Sequence, residues 1–223
     1  MSNRKCIECG LVNFAADETC RRCGVTLEAV STVEASEAFP AKRSKRRLVL
    51  RILFTPALIL VILLVAYLSL LATSDTIDSK QREAVNRAIE VLDGKGFGQE
   101  AFMLRHAVSF RATDNWWNRW VGHADAYAAT NFPFEVVTLY PDFFNLPVDD
   151  VERAAILLHE TYHLYGHGEE AAFKGAWRDK RRLGWTRATY GESAVWKNVS
   201  ESTLSFAPQF FQCGLDRRSD CFE

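Results

Sequence analysis

Hydrophobic and polar residues follow three different rhythms along this chain. From Ile52 to Ala72 the residues ILFTPALILVILLVAYLSLLA run for 21 positions with no ionisable side chain except the Tyr67 phenol. A run with no polar face, at about 1.5 Å of helical rise per residue, covers roughly 30 Å, the thickness of a bilayer hydrocarbon core. One transmembrane helix over residues 48–72 is predicted, with Pro56 in its first turns, where a lost hydrogen bond is best tolerated. A buried core helix rarely runs this long without a polar stripe, and the apolar region of a signal peptide is shorter and nearer the N-terminus.

After the span the period shortens. Val85, Ala88, Ile89 and Leu92 recur at helical spacing within 80–92, and Gly94, Gly96 and Gly98 are expected to end that helix. FEVVTLY over 134–140 reads as a strand. Val151, Ala154, Ala155, Leu158, Tyr162 and Tyr165 define a second helix, started near Pro147 to Asp150 and stopped by Gly166 to Gly168, with a third opening at once in EEAAFKGAW. Residues 73–223 are therefore expected to form one α+β domain. Trp116, Trp117 and Trp120 in DNWWNRW are expected in its core, with a substrate cleft or the bilayer as the alternatives.

Charge sharpens this division. The net charge of −1 over 223 residues hides nine Lys/Arg against six Asp/Glu in residues 1–47 and seventeen against twenty-two in residues 73–223. An apolar content of 48% with 12% aromatic residues excludes a disordered or fibrous chain. Lys42, Arg43, Lys45, Arg46, Arg47 and Arg51 precede the span, whereas Asp75 and Asp78 follow it. By the positive-inside rule the N-terminus faces the cytoplasm and 73–223 lies outside it. The basic run within the linker 28–47 is expected to meet lipid headgroups and not nucleic acid.

Cys6, Cys9, Cys20 and Cys23 form C-x2-C-x10-C-x2-C with Gly10 and Gly24 after the pairs. Two such turns, each relieved by a glycine, supply a closed tetrahedral site for Zn²⁺. Two disulfides or a redox CxxC are the alternatives, disfavoured by a cytoplasmic setting and by the lack of a βαβ context. Residues 1–27 resemble a short zinc ribbon, too small to bury a sufficient core, so that a structural metal would drive its folding. It could dock a cytoplasmic protein partner. Cys213 and Cys221, on the other side of the span, are expected to close a disulfide.

The second helix carries His159, Glu160 and His163 as H-E-x-x-H. On a helix the two imidazoles lie four residues apart on one face and can reach one ion, with Glu160 beside them toward a metal-bound water. This segment resembles the zincin metallopeptidases over residues 130–180. The resemblance implies that His159 and His163 bind a catalytic Zn²⁺ with an open position, and that Glu160 is the general base. The metzincin extension is absent, because Gly166 is followed at once by His167, and so is the aspzincin G-T-x-D. A gluzincin-like third ligand from the next helix remains, Glu169 or Glu170. His167, about 12 Å along an unbroken helix from His159, could join only through a break at Gly166.

Tyr190, Tyr127 and His123 are candidates by type for steadying an oxyanion, and residues 123–132 are a candidate edge strand for an extended peptide substrate. The expectation is a single-pass membrane peptidase acting on a peptide or protein. A non-catalytic sensor or scaffold, and a zinc hydrolase of non-peptide bonds, are the alternatives.

Overall fold

The computed structural model of the chain describes residues 3–27, 45–122, 127–214 and 219–223. Residues 28–44 of the expected linker and the candidate His123 lie outside the described residues. Two compact units, Met1–Ala57 and Leu58–Glu223, divide within one long helix.

In the first unit β1 (Arg4–Lys5) and β2 (Val12–Asn13) pair antiparallel, with Arg4 opposite Asn13. Between them the chain turns on itself, the Gly10 N–H donating to the Cys6 carbonyl at 2.9 Å, with Gly10 at φ +72°. The second cysteine pair repeats the turn, from the Gly24 N–H to the Cys20 carbonyl at 2.8 Å. A left-handed backbone at both positions explains why a glycine follows each pair.

Helix α1 (Lys45–Ala72) begins three residues before the expected boundary at 48. Lys and Arg are good helix formers, so the helix continues from the apolar run into its basic flank. Ile52–Ala72 is long and apolar enough to cross a membrane. Every side chain from Ile52 to Val65 is exposed, which sets aside the core-helix alternative.

The second unit is mixed α+β. Helix α2 (Ser79–Gly94) starts on a capping box between Asp78 and Gln81 and buries Val85, Ala88, Ile89 and Leu92. Helix α3 (Gly98–His106) follows where glycines had suggested only a stop. The chain continues through β3 (Ser109–Arg111), α4 (Trp116–Val121), β4 (Ala128–Asn131), β5 (Val136–Leu139) and α5 (Pro141–Asn145). Then come α6 (Asp150–Leu164), α7 (Glu169–Leu183), α8 (Arg187–Tyr190), α9 (Ala194–Phe206) and a 3₁₀ turn at Pro208–Phe211. The sheet runs β3-β5-β4, with β5 parallel to β3 and antiparallel to β4. All four residues of the central β5 are buried, and β4 is an edge.

Helix α6 occupies the middle of this unit, with Ala154, Ala155, Ile156, Leu157 and Leu158 buried. Its N-terminus is tied at several points. Asp149 caps it, accepting from the Val151 and Glu152 N–H groups, and Tyr190 donates to the other Asp149 oxygen at 2.7 Å. Buried Glu152 accepts from the Val148 N–H at 3.0 Å, from Trp185 Nε1 at 3.3 Å and from Ser193 Oγ. Anchoring one end of α6 this firmly fixes what its other end presents.

The tryptophan expectation is corrected. The core tryptophans are Trp177, Trp185 and Trp196, whereas Trp116, Trp117 and Trp120 are exposed. Helix α4 turns its amides inward. Asn115 donates to Asn131 at 2.7 Å, Asn131 to Asn118 at 2.7 Å, and Asn118 to Thr138 at 3.0 Å. That fully bonded network takes the buried face, and the indoles take the outer one. Cys213 and Cys221 form the expected disulfide.

Candidate metal centres

The ribbon brings its four sulfurs together. Cys6 Sγ lies 3.5 Å from Cys23 Sγ, and Cys9 Sγ 3.5 Å from Cys20 Sγ, with all four within 4.8 Å of one another. A tetrahedron with metal–sulfur bonds of about 2.3 Å has edges of roughly 3.8 Å, so the cluster could hold one ion. Burial works against the Cys20 thiolate, yet the Arg22 and Cys23 N–H groups aimed at it draw its pKa down to about 6. Cys23 accepts from the Val25 N–H, but the surrounding sulfurs and burial push it up to about 12. Four sulfurs this close could share one cation.

The second centre is assembled by the end of α6 and the start of α7. Gly166, at φ +80°, reverses the chain after α6, and α7 opens at Glu169. Its phenyl neighbour shows how tight the reversal is, because a Cβ at Gly166 would meet the Phe132 ring at 3.3 Å. His159 Nε2 and His163 Nε2 are 3.1 Å apart, and the Glu169 carboxylate reaches both, at 3.3 Å to His159 and 3.4 Å to His163. The Oε2 oxygen faces His159 and the Oε1 oxygen faces His163, with one donor atom from each of the three side chains within 4.8 Å of the others, so together they could hold one ion. They fit in chemistry as well. The His163 Nδ1–H donates to the His167 carbonyl at 2.9 Å, leaving the Nε2 lone pair turned toward the shared point. His159 and His163 hold the Glu169 carboxyl well below the usual carboxylate range. Burial pulls the His163 imidazole down, but Glu169, Glu160 and the His167 carbonyl outweigh it, and its pKa is pushed up to about 9.

The alternatives for a third ligand separate cleanly. Glu170 points away and pairs with Lys174 one turn on. The exposed His167 contributes its carbonyl to His163, and its ring lies beside Tyr162, 6.0 Å between centroids. The reason is local. Gly166 and Gly168 bring the first residue of α7 back over α6, and Glu169 is the acid at that first position.

Glu160 is buried beside the histidines and faces a cleft of about 870 Å³. Thr130 Oγ1 on β4 donates to Glu160 Oε2 at 2.7 Å. Of the expected edge strand 123–132, residues 123–126 lie outside the described residues and β4 covers Ala128–Asn131, with Ala128 to Thr130 lining the cleft beside His159 and His163. Among the oxyanion candidates Tyr127 lines this cleft, its oxygen accepting from Asn198 at 2.7 Å. Tyr190 does not, being held at the opposite end of α6 by Asp149.

Sequence reasoning missed three contributors: Thr130, the His167 carbonyl, and Phe173, whose ring packs 4.4 Å from that of His159. Phe173 was legible in principle, since it lies one helical turn after Glu169. Thr130 was not, because nothing local in a strand names its partner on a distant helix.

The chain matches no protein-family model, no curated protein and no solved structure.

Proposed function

We propose that the chain is a membrane-anchored, zinc-dependent peptidase. The observation that carries this reading is the convergence of His159, His163 and Glu169 on one point, with the buried carboxylate of Glu160 beside them in an open cleft. Two imidazoles and a carboxylate suit Zn²⁺ better than the oxygen-seeking Mg²⁺ or Ca²⁺. Bound there, zinc supplies Lewis acidity, polarising a scissile carbonyl and making water acidic. A second, purely structural zinc would fill the four-cysteine cluster.

The chain's own residues do the rest. Glu160 takes the proton from the attacking water and delivers it to the leaving amine, a general-base and then general-acid role. Thr130 holds one Glu160 oxygen and so directs the other into the cleft. Among the described residues no strand pairs with the outer edge of β4, so its backbone groups can meet an extended substrate, which favours a peptide over a compact small molecule. Tyr127, its oxygen already accepting from Asn198, has its own hydrogen to offer a developing oxyanion. The ribbon lies on the cytoplasmic side in this reading, and the disulfide-bearing unit outside. Both assignments agree with the basic flank of α1 and with the cysteine chemistry.

Metal analysis and peptide hydrolysis by the purified full chain in detergent test this together. The parent should hold two zinc ions, and Glu169→Ala should hold one. Glu160→Gln should keep both and lose hydrolysis by about 10²–10⁴-fold. A parent with a single zinc, or a Glu160→Gln protein that still hydrolyses peptides, overturns the proposal. A loaded site that cleaves only esters or other non-peptide bonds would assign it to another hydrolase class.

A further inference from the structure

Trp116, Trp117 and Trp120 are 42%, 42% and 73% exposed. They form one surface, the Trp117 ring lying 5.6 Å from that of Trp116 and 5.0 Å from that of Trp120. This surface is bonded to the end of α1. Trp116 Nε1 donates to Ser69 Oγ at 3.0 Å, the Trp116 backbone N–H donates to Thr73 Oγ1 at 3.1 Å, and Arg119 donates to the Thr73 carbonyl at 3.4 Å. Ser69 and Thr73 bracket Ala72, where the apolar span ends. Ser69 lies only about 5 Å along the axis inside that end. Tyr67 and Ser109, hydrogen-bonded at 3.2 Å, bring the start of β3 to nearly the same depth. With α1 across a bilayer, α4 sits at the headgroup boundary. There an indole gains by being apolar in body and polar at one nitrogen.

The same surface continues to the metal cleft. Leu70 of α1, Trp117, Phe132 and Phe134 line a groove with Thr130 and Asn131. Phe132, 59% exposed, also lines the cleft that contains His163 and Glu169, and Thr130 is the residue bonded to Glu160. The Asn115–Asn131–Asn118 network locks α4 to β4, so the tryptophan surface and the edge strand move as one piece.

We propose that the α4 tryptophans and Phe132 seat this unit on the bilayer surface. The cleft then opens at the lipid–water boundary and takes extended polypeptide segments as they emerge from the membrane. This rests on α1 spanning the membrane and on the site hydrolysing peptides, and its test keeps the three apart.

The full chain is placed in phosphatidylcholine vesicles carrying bromine either on the upper acyl carbons or near the chain ends. Upper bromines should quench tryptophan emission strongly and chain-end bromines weakly. The conservative double variant Trp117→Phe/Trp120→Phe should lower the upper-bromine quenching at least about twofold. A vesicle-bound chain whose emission ignores the upper bromines, or whose quenching survives the double variant, overturns the seating. A chain that does not float with vesicles overturns the spanning reading and the seating with it.

For the substrate, a random-sequence peptide mixture is compared free and with a palmitoyl anchor in the same vesicles. The anchored form should be cleaved about tenfold faster. Because anchoring alone concentrates any peptide near a membrane protein, Trp120→Ser is the control. It should narrow that ratio and leave the free-peptide rate unchanged. Equal rates, or a ratio indifferent to Trp120→Ser, overturn the substrate assignment. Cleavage of neither form overturns the peptidase reading, and the substrate assignment with it, while the quenching result stands by itself.

Discussion

The hydroxyl of Thr130 donates a hydrogen bond, at 2.7 Å, to the carboxylate that the proposed mechanism uses to accept and release a proton. Replacing it with valine keeps the shape and removes the donor. Glu160 then loses its orientation while the three metal donors are untouched. Thr130→Val should lower kcat about tenfold or more with KM and zinc content nearly unchanged; a change in KM alone would mean that Thr130 acts only on substrate binding. His163 carries a second residue-scale consequence. Its pKa rises from 6.5 to about 9 in the metal-free protein, so its proton stabilises the empty site fully below about pH 6.5. That contribution fades as pH rises through about 9. Zinc must displace this proton, so apparent affinity at this centre should weaken about tenfold for each pH unit below 9, with release of about one proton for the ion bound here when the ribbon site is removed by Cys20→Ser. Titration calorimetry in buffers of different ionisation enthalpy measures the proton count directly.

Between elements, the decisive contact is the crossing of α6 and α7. Gly175 of α7 lies directly against the Tyr162 ring of α6, since a Cβ there would lie 2.0 Å from Cζ of Tyr162, the neighbour of His163. An added methyl must push α7 or the Tyr162 ring away, and Glu169 rides on α7. Gly175→Ala should therefore cost stability by about 1–3 kcal/mol and weaken zinc binding at the second centre more than tenfold. Glu170→Ala should do neither, because Glu170 pairs with Lys174 one turn on and not with His159 or His163. Denaturant unfolding and chelator competition read the two effects separately. The two elements also differed in how far they were legible. Helix α6 was readable because its period, its Asp149 cap and its glycine stop all agree, and the His159–His163 pair follows from that period alone. Choosing Glu169 over Glu170 required the path of the chain through Gly166 and Gly168, which is a three-dimensional fact. The outward turn of Trp116, Trp117 and Trp120 depended on where Asn115 and Asn118 find partners, in strands β4 and β5. Local pattern names residues that want burial. It does not say which of two competing faces of a six-residue helix receives it.

At the scale of the whole molecule, the two metal centres stand in opposite relations to the fold around them. The ribbon has two strands of two residues each, and Cys6, Cys20 and Asn13 are its buried side chains among the described residues. Nothing apolar of useful size is sequestered there, so removing an ion from four sulfurs leaves like charges and no core to oppose them. The second unit buries Trp177, Trp185, Trp196 and the apolar face of α6 in one hydrophobic core. Its centre sits at the exposed end of α6, and Glu169, the ligand from α7, is 59% exposed. Under the proposed function metal there serves the chemistry, and the core is expected to hold without it. Treating the full chain with a strong chelator should then have two outcomes in one sample. Residues 3–27 should become sensitive to limited proteolysis, while the fragment beyond the membrane span resists it and keeps its thermal transition within a few degrees. Hydrolysis should disappear and return on adding zinc. Cys20→Ser should reproduce the first outcome alone, and His163→Ala the loss of hydrolysis alone. Collapse of the second unit on chelation would show that its centre is structural, which would favour the scaffold over the enzyme.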